Sequence, residues 1–320
     1  MKKIKNSKKT GFFRKIFIQI CRKLGYEIID QNTFKIVTQN KNINEEISKL
    51  GESSINLPLG ILKITRPVKA LDIIIRTCTS VNMLTQSKTR IFEKEKIEYT
   101  LRTIKSLLSS TKFSSQLDKV EINFKIIDHN SSKENLEKID FIFKSFKQDY
   151  DLINLDVSKF EKDIKKTNER GEKVSFNQIS NMANINQSFL EAKKAEDLIY
   201  FVEDDYLHRK NSIGEIIFTY ERISSQLNKE IIICPADYPY LYTKADLTQN
   251  FLGENSHWRK VDETLCTFLT SRKIIEKHWD RYLSMCKKEH APFEKPLHEI
   301  YKEEICISPI PSLAIHFTNI

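Results

Sequence analysis

Glycine is scarce in this chain, with seven in 320 residues. Neither the G-x-G-x-x-G loop of dinucleotide-binding proteins nor the G-x-x-x-x-G-K-[ST] phosphate loop occurs, and both need glycine where the backbone approaches phosphate. The chain also contains no run of about 18 apolar residues, the minimum for a membrane-spanning helix. These absences disfavour a glycine-fingerprint dehydrogenase, a P-loop kinase and an integral membrane protein. A hydrophobic content of 40% nevertheless predicts a sizeable buried core.

Paired cysteine motifs are also missing. The six cysteines lie far apart, without a C-x-x-C motif or a histidine at zinc-ligand spacing. We interpret them as buried thiols of a reducing compartment. The apolar stretch 16–21 is too short for a secretory signal and is interrupted by Arg22 and Lys23. We therefore expect a cytoplasmic protein, with the option of peripheral contact with the inner face of the membrane.

The net charge of +9 is concentrated at the N-terminal end. Nine basic residues precede the first acidic residue, Glu27, and their removal leaves 43 basic and 43 acidic residues over 27–320. A neutral body lacks the charge footprint of a nucleic-acid-binding protein. A short basic arm is better suited to anionic lipid, so we expect no nucleic-acid partner and assign the membrane contact to residues 1–26.

The segment 10–24 has the pattern of a short amphipathic helix. Its apolar residues recur at helical spacing, with basic residues opposite. Such a helix either lies in a bilayer interface or packs its apolar face on the body, and both interpretations stay open. The polar segment 38–56 is typical of a linker. We expect a basic extension and linker over 1–69 and a catalytic domain over 70–320.

From residue 70 onward, short apolar runs alternate with amphipathic helical stretches. The five predicted strands cover 70–78, 121–130, 151–157, 198–202 and 230–234. This alternation predicts an α/β fold of the Rossmann-like type, with a mainly parallel sheet and helices on both faces.

Polar side chains follow each of these strands. In open α/β sheets, ligands bind at the carboxyl ends of the strands. The candidates are Arg76 and Thr77, then Asp128 and Asn130, then Glu203, Asp204 and Asp205, and finally Asp237.

Three consecutive carboxylates directly after a buried strand are costly without a compensating charge. A divalent cation such as Mg²⁺ or Mn²⁺ would provide it, since both prefer oxygen ligands. The alternative is an acidic N-terminal cap for the helix that begins near residue 211. A cap needs one acid rather than three, so the pattern favours a metal site.

The stretch LIYFVEDDYL (198–207) resembles the strand and acidic motif of GT-A glycosyltransferases. The resemblance covers roughly 70–320. It includes IIIRTCTS (73–80), IIDHNSS (126–132), the asparagine-bearing NQISNMANINQSF (177–189) and PSLAIHF (311–317). The chain is most similar in character to bacterial enzymes that build surface polysaccharides.

The resemblance implies roles for residues on the donor side of the site. Asp205 would bind a Mn²⁺ or Mg²⁺ ion that bridges the donor diphosphate, and His316 would complete the metal ligands or cover the diphosphate. Glu203 would orient the acidic pair, and Asp204 would support the metal or contact the ribose. The remaining residues would line the nucleotide-sugar pocket: Arg76, Thr77, Asp128 and Asn130.

An inverting enzyme of this kind also needs a carboxylate that takes the proton from the acceptor hydroxyl. The candidates are Asp262, Glu263 and Asp237, with Asp262 preferred because its segment follows the metal motif. The aromatic residues Tyr238, Tyr240, Tyr242 and Trp258 could form a stacking wall for a sugar ring, or they could belong to the core.

The sequence therefore predicts a metal-dependent glycosyltransferase that moves a sugar from a nucleotide-sugar to a saccharide or lipid-linked acceptor. One alternative is a membrane-surface adaptor with a transferase-like fold and no turnover. Another is a metal-dependent nuclease, which the lack of a second acidic cluster disfavours. A methyltransferase is disfavoured because no glycine follows the first strand.

Overall fold

The computed structural model describes residues 12–26, 53–56, 60–80, 94–243 and 247–317. Most of the linker predicted over 38–56 lies outside these residues. Its last four residues, Ser53–Asn56, form strand β1, which pairs antiparallel with β2 (Gly60–Lys63).

The body of the protein is built on a nine-stranded sheet. In chain order its strands are β3 (Ala70–Thr77), β4 (Glu121–Asp128), β5 (Asp151–Asn154), β6 (Leu198–Glu203), β8 (Ile232–Ile233), β9 (Asn250–Leu252), β10 (His257–Lys260), β11 (Phe268–Ser271) and β12 (Cys306–Ile310). Their spatial order is β5-β4-β3-β6-β11-β8-β12-β10-β9. A separate two-stranded ribbon pairs β7 (Tyr206–His208) with β13 (Ala314–His316).

The helices are α1 (Phe12–Lys23), α2 (Lys96–Thr111), α3 (Lys133–Ser145), α4 (Ser158–Glu161), α5 (Phe176–Ala192), α6 (Ser212–Leu227), α7 (Arg272–Lys277), α8 (Trp279–Lys287) and α9 (Lys295–Tyr301). Two 3-10 turns cover Ser115–Lys119 and Pro239–Tyr242.

The sheet is mainly parallel, as the alternation of strands and helices predicts. Strands β3, β4, β5 and β6 pair in parallel, and β12 is parallel to β8. The strand pairings give seven strands one direction and only β10 and β11 the opposite one. The carboxyl ends of the parallel strands therefore meet at one edge of the sheet.

Helices cover both faces of the sheet, as predicted. In β3, Ile73 and Ile75 point into a core shared with α2, α3 and α6, whereas Ile74 points into a second core shared with α5 and α8. All eight residues of β3 are buried. A strand covered on both faces has no polar side to alternate, which explains its mainly apolar sequence.

The second half of the sheet differs from the sequence prediction. The run 230–234 supplies only the two-residue strand β8, and β9 to β12 were not predicted. These strands are short, and β9 and β10 mix polar and apolar residues at the sheet edge, so they lack a clear strand pattern.

The N-terminal segments differ in their contacts with the body. Arg66 forms ion pairs with Asp197 and Glu230, and Val68 is buried in the core, so the residues just before β3 pack on the domain. Helix α1 instead has an exposed apolar face, with 86% of Phe13 and 59% of Phe17 accessible to solvent. Among the described residues, no helix is long and apolar enough to cross a membrane.

Candidate active site

The residues predicted at the strand ends lie side by side at the carboxyl edge of the sheet. Arg76 is opposite Glu203 in the pairing of β3 with β6, and Thr77 is opposite Asp128 in the pairing of β3 with β4. The Arg76 guanidinium contacts Glu203 at 3.0 Å and donates a hydrogen bond to Asn181 of α5 at 2.9 Å. Three strands and one helix therefore converge on this edge.

Each of the three consecutive carboxylates contacts a basic side chain from a different element. Glu203 pairs with Arg76 of β3, Asp204 with Lys96 of α2, and Asp205 with His316 of β13. The side chains of Asp204 and Lys96 are only 8% and 10% exposed, so this pair is nearly desolvated. These contacts supply part of the charge compensation that the sequence pattern requires.

Helix α2 holds the acidic turn through a polar stripe on one face. Lys96 Nζ and Thr100 Oγ1 donate hydrogen bonds to the two carboxylate oxygens of Asp204. Further along the helix, Thr103 and Ser106 accept from the backbone N–H groups of Tyr206 and His208. These four α2 residues recur at helical spacing, so the stripe lies along the turn that follows β6.

The ribbon of β7 and β13 delivers His316 to the same turn. His316 is opposite Tyr206 in the ribbon, and the two rings lie 4.8 Å apart. The backbone N–H of Phe317 donates to the carbonyl of Asp205 at 3.0 Å. His316 Nε2 lies 3.3 Å from Asp205 Oδ1, so the predicted metal-binding pair is in direct contact.

The pKa values in this cluster reflect both burial and charge. Burial raises the pKa of Glu203, although the nearby Arg76 opposes the effect. For His316, burial lowers the pKa, but the hydrogen bond to Asp205 and the surrounding carboxylate charge outweigh it, so the net pKa is raised. The carboxylates around His316 therefore favour positive charge at this position.

Asp205 and His316 have the geometry of two ligands of one cation. Two ligands at about 2.1 Å from an ion, at right angles, lie about 3 Å apart, close to their 3.3 Å separation. Within the described residues, no group of three or more His, Cys, Asp or Glu could hold a metal ion. The pair fits Mg²⁺ or Mn²⁺ if donor phosphates and water complete the coordination, the usual arrangement for Mg²⁺ at phosphates.

Asp204 is held by helix α2. Both of its carboxylate oxygens accept hydrogen bonds from α2, and Lys96 Nζ also lies 3.9 Å from Asp205. These contacts suit Asp204 to the first of its two predicted roles, the support of Asp205.

Asp128 connects the residues that we expect to line the nucleotide pocket. Its carboxylate accepts hydrogen bonds from the hydroxyl groups of Thr77 and Ser131, both at 2.6 Å. It also accepts from the backbone N–H of Ser131 at 3.1 Å. Asn130 has a left-handed backbone with φ of 60°, which asparagine tolerates better than most residues. The backbone therefore turns sharply just after β4.

The three predicted base candidates lie in different settings. Asp262 is 65% exposed and pairs with Lys260 at 3.1 Å. Asp237 accepts from Arg259 at 2.8 Å and from the hydroxyl of Tyr242 at 2.5 Å. Glu263 is partly buried. Their role as base stays a prediction.

The four candidate stacking aromatics divide between core and surface. Trp258 is buried and donates from its indole nitrogen to Glu215, so it belongs to the core. Tyr238 is also buried, with its hydroxyl 2.7 Å from that of Tyr206. Tyr240 and Tyr242 are exposed, and Tyr240 stacks on Tyr238 with ring centroids 5.4 Å apart. Only these two remain accessible to a sugar ring.

Sequence reasoning missed a further carboxylate near this edge, Glu294. Burial raises its pKa to about 7, and the negative charge of Glu203 adds to the effect. Its Oε1 accepts a hydrogen bond from the Cys266 thiol at 3.8 Å. The surrounding sequence, KKEHAPFEKP (287–296), has the composition of a charged surface segment, so its pattern gave no signal.

No family model and no curated protein matches the chain. Among solved structures, S. aureus TarS matches with a TM-score of 0.35 and 8% identity, covering 65% of this chain and 29% of its own. Mouse xyloside xylosyltransferase 1 matches with a TM-score of 0.38 and 12% identity, covering 73% and 76%. A UDP-glucose pyrophosphorylase complexed with UDP-glucose matches with a TM-score of 0.35 and 10% identity, covering 76% and 90%.

Glycosyltransferases, the class that the sequence resembles, are thus among the solved structures similar to this chain, at low identity and TM-score. The chain spans less than a third of the length of the TarS structure.

Proposed function

We propose that the chain is a glycosyltransferase that moves a sugar from a nucleotide-sugar donor to a saccharide or lipid-linked acceptor. One observation carries the proposal: Asp205 and His316, far apart in sequence, lie 3.3 Å apart at the carboxyl edge of the sheet. Thr77 and Asp128, which we expect to line the nucleotide pocket, lie at the same edge.

The residues of this edge would divide the work of donor binding. Arg76 would hold Glu203 in place, and Asp128 would fix the pocket wall through Thr77 and Ser131. A divalent cation, Mn²⁺ or Mg²⁺, held by Asp205 and His316 would stabilise the charge that develops on the departing nucleoside diphosphate. Lys96, 3.9 Å from Asp205, adds positive charge to the same region.

The test is thermal unfolding of the purified protein with UDP, GDP and dTDP and their sugar derivatives, each with and without Mn²⁺. A ligand at 100 times its Kd should stabilise the protein by about 3 kcal/mol, which a melting curve resolves. We expect a metal-dependent shift with one nucleotide, and we expect Asp205→Ala to abolish it. Asp140→Asn, in an exposed pair with Lys144 on α3, is the matched control and should keep the shift.

A panel without any shift would contradict the donor site and favour the adaptor without turnover. A shift that survives Asp205→Ala would contradict the role of Asp205, even if a nucleotide binds.

We also propose that residues 1–26 bind an anionic membrane surface, which would bring the enzyme to a lipid-linked acceptor. The support is the exposed apolar face of α1, together with the basic residues that the sequence has at 14, 15, 22 and 23. Phe13→Asp with Phe17→Asp should reduce sedimentation with phosphatidylglycerol vesicles at least tenfold, since each buried phenylalanine contributes about 1.5–3 kcal/mol.

The matched control for this test is Phe141→Asp, because Phe141 is 72% exposed on α3 of the body. Binding that is unchanged by the α1 substitutions, or equally strong to vesicles of phosphatidylcholine alone, would contradict the proposal.

A further inference from the structure

Glu294 is tied to the candidate site through two successive contacts. It directly precedes α9 and is partly buried, and its carboxylate accepts from the Cys266 thiol. The next residue, Thr267, accepts a hydrogen bond on its hydroxyl from the backbone N–H of Glu203 at 3.0 Å. The segment 266–267 therefore connects Glu294 with the acidic end of β6.

Three side chains act on the Glu294 carboxylate besides its burial. Glu203 of β6 repels its negative charge, whereas Arg76 of β3 and the Cys266 thiol favour it. Glu294 also raises the pKa of Tyr240 in the 3-10 turn, an effect smaller than those of burial and of Cys234. Glu203 in turn interacts with Asp205 and His316, so it borders both Glu294 and the proposed metal-binding pair.

Each carboxylate of the acidic motif contacts a basic side chain: Glu203 contacts Arg76, Asp204 contacts Lys96, and Asp205 contacts His316. Glu294 has a thiol as its hydrogen-bond partner. A pKa near the working pH is the value at which a carboxylate best exchanges a proton during a reaction. Burial and the charge of Glu203 thus prepare this residue for proton transfer.

We propose that Glu294 is the general base of the transfer reaction. Its carboxylate takes the proton of the acceptor hydroxyl while that oxygen forms a bond to the anomeric carbon of the donor sugar. The bond from the anomeric carbon to the diphosphate oxygen breaks, and the nucleoside diphosphate leaves with the electron pair. The products are an inverted glycoside, the nucleoside diphosphate and protonated Glu294. This inference rests on the proposed glycosyltransferase function.

The first test is release of nucleoside diphosphate from UDP-glucose, UDP-N-acetylglucosamine and GDP-mannose with water as the acceptor. Glu294→Gln should lower kcat at least 100-fold, because general base catalysis contributes about 10²–10⁴-fold. Donor-induced thermal shifts should stay as in the unsubstituted protein. Glu299→Gln, in an exposed pair with Lys302 on the same helix, is the matched control and should keep full activity.

The pH profile separates proton transfer from a merely structural role. In the unsubstituted protein, kcat/KM should rise with pH through about 7 as Glu294 loses its proton. In Glu294→Gln the residual kcat/KM should not rise with pH in this range. In Glu294→Asp the rise of kcat/KM should return, with its midpoint at a different pH.

A second measurement needs no activity. The folded-state pKa of Glu294 is raised above that of the unfolded chain, so the folded state binds more protons between about pH 4.5 and 7, and stability falls as pH rises through this window. Removal of the ionisable group should therefore raise the Tm of Glu294→Gln, relative to the unsubstituted protein, more at pH 8 than at pH 5.

The outcomes separate the two proposals. If the unsubstituted protein releases no nucleoside diphosphate from any donor, the proposed function fails and the base assignment fails with it. If it does release nucleoside diphosphate but Glu294→Gln keeps the rate and the rise of kcat/KM with pH, only the base assignment is overturned. A Tm difference between the two proteins that does not change with pH would also overturn it.

Discussion

The two sides of the candidate site treat carboxylate charge differently. On the donor side, Glu203, Asp204 and Asp205 each contact a basic residue from another element. On the side of Cys266 and Thr267, Glu294 is partly buried beside a thiol, and burial raises its pKa to about 7. A contact with a basic side chain holds a carboxylate in place for binding, whereas a pKa near 7 suits proton transfer. One sheet edge thus provides both kinds of carboxylate.

The largest effect on the donor side is a loss of stability, expected when a buried lysine is removed from its carboxylate partner. Lys96→Met leaves the Asp204 carboxylate buried without its lysine, so the free energy of unfolding should fall by about 3–5 kcal/mol. Urea denaturation at pH 7 measures this loss. The double variant Lys96→Met/Asp204→Asn should recover part of it, because no charge is then left buried.

Lys138→Met is the matched control for this experiment. Its pair with Glu134 lies exposed on α3, where solvent screens the attraction, so the loss of stability should be far smaller than for Lys96→Met. If the Lys96→Met protein is as stable as this control, the pair of Lys96 with Asp204 does not stabilise the donor side.

A smaller effect is expected when the donor side loses a proposed ligand. His316→Ala should weaken UDP or GDP binding in the presence of Mn²⁺ by about 10–100-fold, equivalent to 1.4–2.8 kcal/mol. Isothermal titration calorimetry measures the change, with the exposed His257→Ala as control. Equal affinities for His316→Ala and the unsubstituted protein would remove His316 from the donor site.

The smallest expected effect concerns the thiol on the other side. The Cys266 thiol donates to the Glu294 carboxylate and so lowers its pKa slightly. Cys266→Ala should therefore move the midpoint of the pH profile upward, and Cys266→Ser, with a stronger donor, should move it downward, each by less than about one pH unit. Identical midpoints in both variants would mean that the thiol does not act on Glu294.

The donor side of this comparison could largely be predicted from sequence because its signals are local. Strands β3 and β6 are mainly apolar runs, and each ends in polar residues that are adjacent to the run in the sequence. The parallel arrangement then places Arg76 and Glu203 together without further information. Asp204 was found for the same reason, although its hydrogen-bond partners were not.

The missed features depend on contacts between distant segments. The polar stripe of α2 alternates with the apolar residues that predict the helix. Its partners are in the turn after β6, and the sequence does not show that this turn packs against α2. Strands β7 and β13 have three residues each, too few for a periodic pattern. The pKa of Glu294 arises from burial, which composition alone does not reveal.

The β7–β13 ribbon has a consequence for folding. It joins His208 to Ala314 across more than 100 residues of intervening chain, so its formation requires the closure of a long loop. The contact of Asp205 with His316 forms only when that loop is closed. We expect a chain in which the loop is open to have no complete donor site, so metal-dependent nucleotide binding would report closure of the ribbon.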